Sequence, residues 1–328
     1  MPRLPLEQAN IEDRKKEGVA ITLNKQVQAR ETSTLLECVH LIHNALPELN
    51  FDEVDTSISF LGHKFSTPIL IDSMTGGTNV ATKLNETLAR AAAKYGLGMG
   101  VGSQRAGLKS EALAETYRIV RKAAPEVFMM ANIGGAQVAD NLSFEDAQKL
   151  VEKINADALA VHLNPLQELI QPEGEPKFKG VLARIKELAS KISVPIIVKE
   201  VGAGISGDVA LRLSKSGVSC INVSGLGGTS WAGVEQIRAE ARKNARKAEL
   251  GQIFWDWGIP TAASLIEVRK AVKLPLIASG GLRNGLDVAK CIVLGSNLCG
   301  MALPMLKRAA ESFESLCTFT EGLQFQLR

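Results

Sequence analysis

Eight short apolar segments recur from residue 67 to the end of the chain, with longer amphipathic stretches between them. The segments are almost continuously apolar, as is typical of parallel strands that are covered on both faces. In chain order they are Thr67–Ser73, Gly98–Val101, Val127–Asn132, Ala158–His162, Val194–Glu200, Ser219–Ser224, Leu274–Ser279 and Asn297–Met301. Because an open doubly wound sheet usually has fewer strands, this pattern favours an α/β fold of the closed (β/α)8 TIM-barrel type.

The stretches between the segments have the apolar spacing of helices, and Ser143 and Ser206 stand where helix N-caps are expected. The predicted helices are Ala81–Lys94, Glu111–Ala123, Glu145–Ile154, Val181–Ser190, Gly207–Ser216, Thr261–Val272 and Leu286–Leu294. Residues 1–60 do not follow this alternation. We therefore predict an N-terminal extension (1–60) that packs on or over one end of the barrel, and a barrel domain (61–328).

Composition excludes several classes of protein. Lys and Arg total 38 against 35 Asp and Glu, and aromatic residues make up only 5%, so a nucleic-acid-binding surface is not expected. No segment approaches the roughly 18 apolar residues of a membrane span. The five cysteines are scattered, without a CxxC pair, which argues against a disulfide framework or zinc site and predicts a cytoplasmic location.

Polar or glycine-bearing residues follow the predicted strands. In a barrel enzyme the active site is built from the loops at these carboxyl ends. Two neighbouring loops, Ser224–Thr229 and Gly280–Arg283, are rich in glycine, and Met301–Leu303 follows the last strand. Backbone N–H groups in such loops bind anions, so a phosphate site is predicted here, although glycines that only make tight turns are the alternative.

Lys199 ends the fifth predicted strand and should point into the mouth of the barrel. A lysine at a buried strand end needs an anionic partner. It could neutralise the negative ring of a reduced cofactor, form a Schiff base, or simply pair with Glu200 or another acid.

Several motifs, in order, resemble the type 2 isopentenyl-diphosphate isomerases. The most specific are Gly100–Arg105 (GVGSQR) and Val161–Glu168 (VHLNPLQE). Agreeing motifs are Met74–Gly77, Gln171–Pro176, Pro195–Glu200, Ser224–Trp231, Asp256–Thr261, Gly280–Arg283 and Gly300–Leu303. The resemblance runs from about Arg14 to the C terminus.

The resemblance implies an FMN-dependent barrel that interconverts isopentenyl and dimethylallyl diphosphates, works with reduced FMN and Mg²⁺, takes electrons from NADPH, and forms a homo-oligomer, a tetramer or octamer. It implies FMN contacts from Met74, Thr75, Gly76, Ser103, Asn132, Lys199, Ser224, Thr229, Gly281, Arg283, Ala302 and Leu303. It implies substrate contacts from Arg14, Lys15, Ser103, Gln104, Arg105, His162, Asn164 and Gln167, with Glu168 binding Mg²⁺.

The chain departs from the family pattern at two places. Gly18 stands where the family has a histidine, so that contact from the N-terminal arm is not predicted here. Family members also continue for tens of residues past the position of Arg328, so the last barrel helix is expected to be short or truncated.

Moving a double bond by one carbon adds one proton and removes another. The carboxylate Glu168 is assigned to Mg²⁺, Gln167 is a poor acid, and His162 suits the diphosphate better than proton transfer. We therefore expect the cofactor to carry the proton chemistry, with Gln167 relaying or positioning the proton and His162 and Lys199 completing the catalytic set.

Two alternatives remain open. A flavin oxidoreductase of the α-hydroxy-acid oxidase type would need a tyrosine near the flavin, and neither Tyr95 nor Tyr117 closes a predicted strand. A non-catalytic flavin- or phosphate-binding barrel would not need His162, Asn164, Gln167 and Glu168 in one strand-end loop. The basic run at 242–247, in the insert after the sixth strand, is expected to be a solvated helix face, and Arg14-Lys15-Lys16 alone could be one too.

Overall fold

The computed structural model describes residues 6–140 and 142–328, and its centre is a closed barrel of eight parallel strands. The barrel strands are β3 (Ile69–Ile71), β4 (Gly98–Gly100), β5 (Met129–Gly134), β6 (Ala158–His162), β7 (Ile196–Lys199), β8 (Cys220–Asn222), β9 (Leu276–Ser279) and β10 (Leu298–Met301). The order is sequential, and β10 pairs with β3 to close the ring. All eight predicted strands are therefore confirmed, although most are shorter than the apolar runs.

Fifteen helices are found in the described residues. Those that pack around the barrel or precede it are α1 (Leu6–Asn24), α2 (Asn79–Tyr95), α4 (Glu111–Ala123), α6 (Phe144–Lys153), α8 (Val181–Lys191), α9 (Gly207–Ser214), α12 (Thr261–Ala271), α13 (Gly285–Val293), α14 (Leu303–Glu311) and α15 (Phe313–Leu327). Those in the connections after strands are α3 (Arg105–Lys109), α5 (Gly135–Asp140), α7 (Pro165–Ile170), α10 (Trp231–Ala241) and α11 (Ala245–Ile253). The seven predicted helices are confirmed, and Ser143 and Ser206 cap α6 and α9 by accepting N–H groups at 3.0 and 3.3 Å.

A two-stranded hairpin closes the amino-terminal end of the barrel. It consists of β1 (Ile58–Phe60) and β2 (His63–Phe65), paired antiparallel. Phe60, Phe65 and Phe128 pack there with ring centroids 5.6–6.2 Å apart. These packed rings close the amino-terminal end of the barrel, so a ligand must enter from the carboxyl-terminal end.

The N-terminal region also covers the opposite, carboxyl-terminal end. Helix α1 packs against α3, α10 and α14, which surround the mouth. The chain after α1 then runs along the loop that follows β8, where Ala29 donates to the Gly228 carbonyl at 2.9 Å and Ser230 donates to that of Val27 at 2.7 Å. The described part of the N-terminal extension, residues 6–60, thus contributes to both ends of the barrel.

After β10 the chain forms two helices. Helix α14 begins directly at the mouth, and α15 packs on α2 and α13 at the barrel periphery. Across the described ranges, none of the helices combines the length and apolar character needed to traverse a lipid bilayer.

Candidate active site

A cavity of about 230 Å³ lies at the carboxyl ends of the barrel strands, beneath α1. All twelve residues predicted to contact FMN line this cavity, as do Arg14, Lys15, His162, Asn164, Gln167 and Glu168. Residues 227 positions apart, such as Thr75 after β3 and Ala302 after β10, therefore meet in one pocket because parallel strands end at the same rim. No tyrosine appears among the described residues that line it.

The two glycine loops after β8 and β9 form one wall of the cavity. Ser224 takes a left-handed conformation (φ 40°) that turns the chain from β8 into its loop. The loops approach so closely that a Cβ on Gly228 would lie 2.6 Å from the Gly281 nitrogen. Within the described chain, the N–H groups of Gly228, Thr229, Gly280 and Gly281 donate to no acceptor of the protein, so this wall presents free donors to an anion.

Arg283 adds a positive charge to this wall. Its guanidinium donates to the Leu282 carbonyl at 2.9 Å and to Gln28 Oε1 at 2.7 Å, and in the part of the chain that is described it makes no ion pair. Burial lowers its pKa, with Asp287 acting in the opposite direction. A half-buried cation that lacks an acidic partner, beside free N–H groups, fits the phosphate of FMN.

Lys199 lies at the centre of the barrel mouth and is buried. Its Nζ donates to the Glu200 carbonyl at 2.7 Å and lies 3.8 Å from Asp72 Oδ2. Asp72 is held by Asn222, whose Nδ2 donates to it at 3.1 Å, and Ser279 donates to Asn222 at 2.7 Å. The ammonium is thus held in place but not closely paired, which leaves it available to a negatively charged ring.

Gln104 and Arg105 stand apart from the other predicted substrate residues. The Gln104 side chain donates to the Leu150 carbonyl at 3.2 Å and accepts from the Asn132 N–H at 3.0 Å, so it braces the wall from behind. Arg105 pairs with Glu175 at 3.3 Å. Neither lines the cavity in this structure.

Lys15 on α1 reaches into the loops after β3 and β4. Its Nζ contacts the carbonyls of Gly76 (3.0 Å) and Ser103 (2.5 Å) and the hydroxyl of Tyr117 (2.5 Å). Burial, and then the nearby Arg14, lower its pKa to about 7. Tyr117, which the sequence did not point to, packs so closely that a Cβ on Gly76 would meet its ring at 1.9 Å.

His162 ends β6 with its ring against Asn132. Nδ1 lies 2.8 Å from Asn132 Oδ1, an arrangement in which Nδ1 carries the proton and Nε2 is left as an acceptor. Burial, followed by Lys199, Arg14 and Lys15, lowers the His162 pKa to about 3. The ligand-free imidazole is therefore neutral and must gain a proton before both nitrogens can donate.

We expect substrate binding at pH 8 to take up protons. An incoming diphosphate offsets the positive charges that lower the pKa values of His162 and Lys15, so both pKa values rise on binding. Calorimetric titration in two buffers of different ionisation enthalpy measures this uptake. The uptake should be smaller in His162→Gln; equal uptake in both proteins would show that His162 stays neutral.

Glu168, Asn164 and Gln167 form a polar cluster on the loop after β6. Asn164 Nδ2 donates to Gln167 Oε1 at 3.1 Å and to Glu168 Oε1 at 3.3 Å, while Glu168 Oε2 accepts the Glu175 N–H at 2.9 Å. Asn164 Oδ1 is buried without a hydrogen-bond partner. No group of three or more His, Cys, Asp or Glu side chains in the described ranges could hold a metal alone, so these oxygens fit a Mg²⁺ whose other ligands come from the substrate.

Glu235 on α10 is a site residue that the sequence analysis missed. It lines the cavity, is 2% exposed, and accepts a hydrogen bond from Gln167 Nε2 at 3.1 Å. Its pKa is raised by burial, although Arg238, Gln167 and Arg14 act in the opposite direction. The only signal for it was its place in the helix that follows a glycine loop.

The run at 242–247 is largely exposed, as expected, but residues 242–244 lie between α10 and α11, so it is not one helix face, and both of its ends make specific contacts. Arg242 pairs with Glu17 at 2.9 Å and with Glu173 at 3.2 Å. Lys247 donates to backbone carbonyls of Leu169 and Gln171. These contacts bind α10 and α11 to α1 and to the loop after α7, because charges that are far apart in sequence meet at the rim.

Gly18 lies in the middle of α1, buried against the cavity. A Cβ there would have Trp231 as its nearest neighbour, at 3.9 Å, so the packing of the chain itself does not require glycine. Glycine destabilises a helix interior by about 1 kcal/mol relative to alanine, so α1 is less stable at this position than its packing requires.

Gly18→Ala should therefore stabilise the protein without closing the substrate site. We expect a Tm higher by about 2 °C and an unchanged KM, because the added methyl group lies 3.9 Å from its nearest neighbour and the family accommodates a larger histidine at this position. Gly322→Ala in α15, where a Cβ meets nothing within 4 Å, is the matched control and should raise Tm by a similar amount. A KM raised in Gly18→Ala but not in Gly322→Ala would show that the substrate packs against α1 at this point.

The comparisons with known proteins agree on the family. The model of the FMN-dependent dehydrogenase family matches residues 8–161 and 146–314. Relatives named isopentenyl-diphosphate delta-isomerase include those of Methanosarcina mazei (50% identical; 92% of this chain, 82% of that protein), Halobacterium salinarum (48%; 97% and 88%) and a Nostoc species (46%; 98% and 91%).

Solved structures show the same fold at much lower sequence identity. A flavocytochrome b2 variant with benzoylformate aligns with a TM-score of 0.69 at 18% identity, over 98% of this chain and 80% of that one. A mandelate oxidase variant with 2-hydroxy-phenylacetamide aligns with a TM-score of 0.63 at 16% identity, over 98% and 91%. The relatives of 46–50% identity and the match to the FMN-dependent family model together show that the chain belongs to the isopentenyl-diphosphate delta-isomerases, in their FMN-dependent, type 2 form.

Proposed function

We propose that this protein interconverts isopentenyl and dimethylallyl diphosphates by adding and removing protons, with reduced FMN and Mg²⁺. One observation carries the proposal: a single cavity combines two separate anion sites. The free N–H groups beside Arg283 form one, and Arg14, His162 and the cluster around Glu168 form the other. A flavin phosphate and a substrate diphosphate need two such sites.

The residues that would hold FMN are those of the glycine loops and the strand ends around Lys199. Arg283 and the N–H groups of Gly228, Thr229 and Gly281 would bind its phosphate, and Lys199 would face its ring. Reduced FMN supplies ring-nitrogen protons to a reaction that the protein side chains are poorly equipped to drive alone.

The substrate would bind between α1 and the loop after β6. Arg14 has its pKa lowered by burial, which Glu168 and Glu235 partly offset, so it favours an additional anion. Glu168 and the unpaired Asn164 Oδ1 would hold Mg²⁺ against the diphosphate. Seating the diphosphate there leaves the hydrocarbon end toward the centre of the barrel.

Gln167 would position the proton that is added or removed. Its amide is fixed on both sides, because Oε1 accepts from Asn164 and Nε2 donates to Glu235. Glu235, whose pKa is raised by burial, can hold a proton at Oε1 on the far side of this amide. The pair thus provides a defined place for a proton next to the cavity.

An α-hydroxy-acid oxidase activity is less well supported. The family model and the solved structures fit that chemistry in fold, but tyrosine is missing from the described cavity lining. The two activities differ in reductant use, because an isomerase turns over without consuming NADPH stoichiometrically.

A proton NMR assay tests the proposal. Purified protein with FMN, dithionite and Mg²⁺ should convert the methylene signals of isopentenyl diphosphate into those of dimethylallyl diphosphate. Omitting dithionite should stop the reaction, and adding EDTA should slow it. Equal conversion with oxidised and reduced flavin, or none with either, would refute the proposal.

NADPH as reductant, assembly into a tetramer or octamer, and a cytoplasmic location stay predictions from the sequence. Sedimentation velocity with and without substrate measures the assembly directly.

A further inference from the structure

Arg238 on α10 is the largest fully buried side chain of the described residues, at 1% exposure. It contacts three carboxylates from three parts of the chain: Glu17 of α1 at 2.9 Å, Glu173 of the loop after α7 at 3.0 Å, and Glu235 of its own helix at 2.5 Å. Each of its three nitrogens donates to a different carboxylate. A guanidinium fork that is fully used in this way fixes the orientation of its partners.

The two carboxylate oxygens of Glu235 accept hydrogen bonds from two different residues. Oε2 accepts from Arg238, and Oε1 accepts from Gln167 at 3.1 Å. Without the contact to Arg238, the carboxyl could rotate and Oε1 would no longer be held toward the amide. The side chain of Arg238 does not line the cavity, so it acts through Glu235 and not on a ligand.

The charges of this cluster do not balance. With Arg242, which also pairs with Glu17 and Glu173, the cluster has two guanidinium groups against three carboxylates. Burial favours the neutral form of the least exposed carboxyl, which is Glu235. The other charged or polar groups facing Glu235 are Arg14 of α1 and Gln167 of α7, with Glu168 near Arg14.

We propose that Arg238 is a positioning residue for Glu235: it orients the carboxyl toward Gln167 and couples that orientation to the seating of α1 through Glu17. The inference rests on the proposed function, because it assigns Arg238 to the proton-carrying pair of that reaction. Helix α1 also carries Arg14 and Lys15, so binding a diphosphate and orienting Glu235 depend on the same helix.

The test compares Arg238→Gln with Arg242→Gln in pH profiles of kcat. Glu235→Gln is measured first, and the limb of the wild-type profile that it removes is assigned to Glu235. Because loss of the guanidinium removes a charge and a hydrogen bond that lower the Glu235 pKa, Arg238→Gln should move this limb upward by about 1–3 pH units. Arg242→Gln, one helical turn further on, contacts Glu17 and Glu173 but not Glu235, so it should raise KM and leave the limb in place.

Rescue and fold controls complete the test. Arg238→Lys keeps one charge but cannot serve three carboxylates, so the limb should move less than in Arg238→Gln. If Arg238→Gln no longer binds FMN, the position of the limb in Arg238→Lys alone tests the positioning role. A limb that stays at the wild-type pH in the variant that folds would overturn the positioning role.

The outcomes also separate this inference from the proposed function. If Glu235→Gln keeps the full rate and profile, the Gln167–Glu235 pair is not part of the reaction and the inference fails, whereas the isomerase function stands because the variant still turns over. If the wild-type protein with reduced FMN and Mg²⁺ shows no isomerisation, the proposed function itself fails. If Glu235→Gln removes a limb that neither Arg238 variant moves, only the role of Arg238 fails. Arg238→Lys in the Glu235→Gln background should cause no further loss of kcat, since it acts through that carboxyl.

Discussion

Gln167→Ala is expected to lower kcat by about 10²- to 10⁴-fold, the range for loss of a positioned proton-transfer group. The reason is geometric: the Gln167 amide donates to Glu235 and accepts from Asn164, so it is fixed on both sides at the cavity wall. Steady-state kinetics by NMR or a coupled assay measure the change. FMN binding should stay intact, because Gln167 lies across the cavity from the phosphate wall.

Two comparisons sharpen this prediction. Gln148→Ala, at the surface of α6 and bonded to Ser193, removes the same side chain far from the cavity and should leave kcat unchanged. Gln167→Glu keeps an oxygen toward Asn164 but places a second carboxyl against Glu235, so it should also be strongly impaired. An alanine variant with undiminished turnover would leave the proton chemistry to the flavin alone.

Arg283→Met is expected to raise the dissociation constant for FMN by about 10- to 150-fold, which is the range for loss of one hydrogen bond to a charged group. Its guanidinium is half-buried at the cavity wall and, among the described residues, has no carboxylate partner, so a phosphate is the anion it can satisfy. Fluorescence titration of the flavin-free protein measures this affinity independently of turnover.

The control for this prediction is a similar change at a similar residue elsewhere. Arg118→Met removes an arginine of α4 that pairs with Glu111 and Glu115 at the surface, and it should not alter FMN affinity. Gln28→Ala removes the side chain that holds Arg283 and should weaken binding less than Arg283→Met does. Equal affinity in Arg283→Met and the wild type would place the phosphate elsewhere.

Much of the mouth could be predicted from sequence because its parts are local. An apolar run followed by glycine or polar residues marks the end of a buried strand, and the barrel rule then places all such ends at one rim. Thr229 and Arg283 were found in this way, and both line the cavity. Lys15, in the N-terminal extension, was predicted to contact the substrate only from the family resemblance. A basic run in a segment without predicted structure does not indicate what it contacts.

What the sequence did not indicate are the contacts between distant segments. Gln167 meets Glu235 across 68 positions, Arg238 meets Glu17 across 221, and Arg283 meets Gln28 across 255. A helical charge pattern is compatible with solvent or with a partner, so the contacts made by the two ends of the run at 242–247 could not be predicted. The partner depends on which helix lies opposite.

The sequence by itself determined the barrel and the identity of the residues at its rim, because strand and helix periodicity and the turn residues act over a few positions. Only the tertiary structure decided that α1 lies over the mouth and that Glu235 stands behind Gln167. It also decided that a fully buried arginine, Arg238, joins α1 to Glu235. These features depend on burial and on the pairing of charges through space. Neither is encoded by the spacing of residues along one segment.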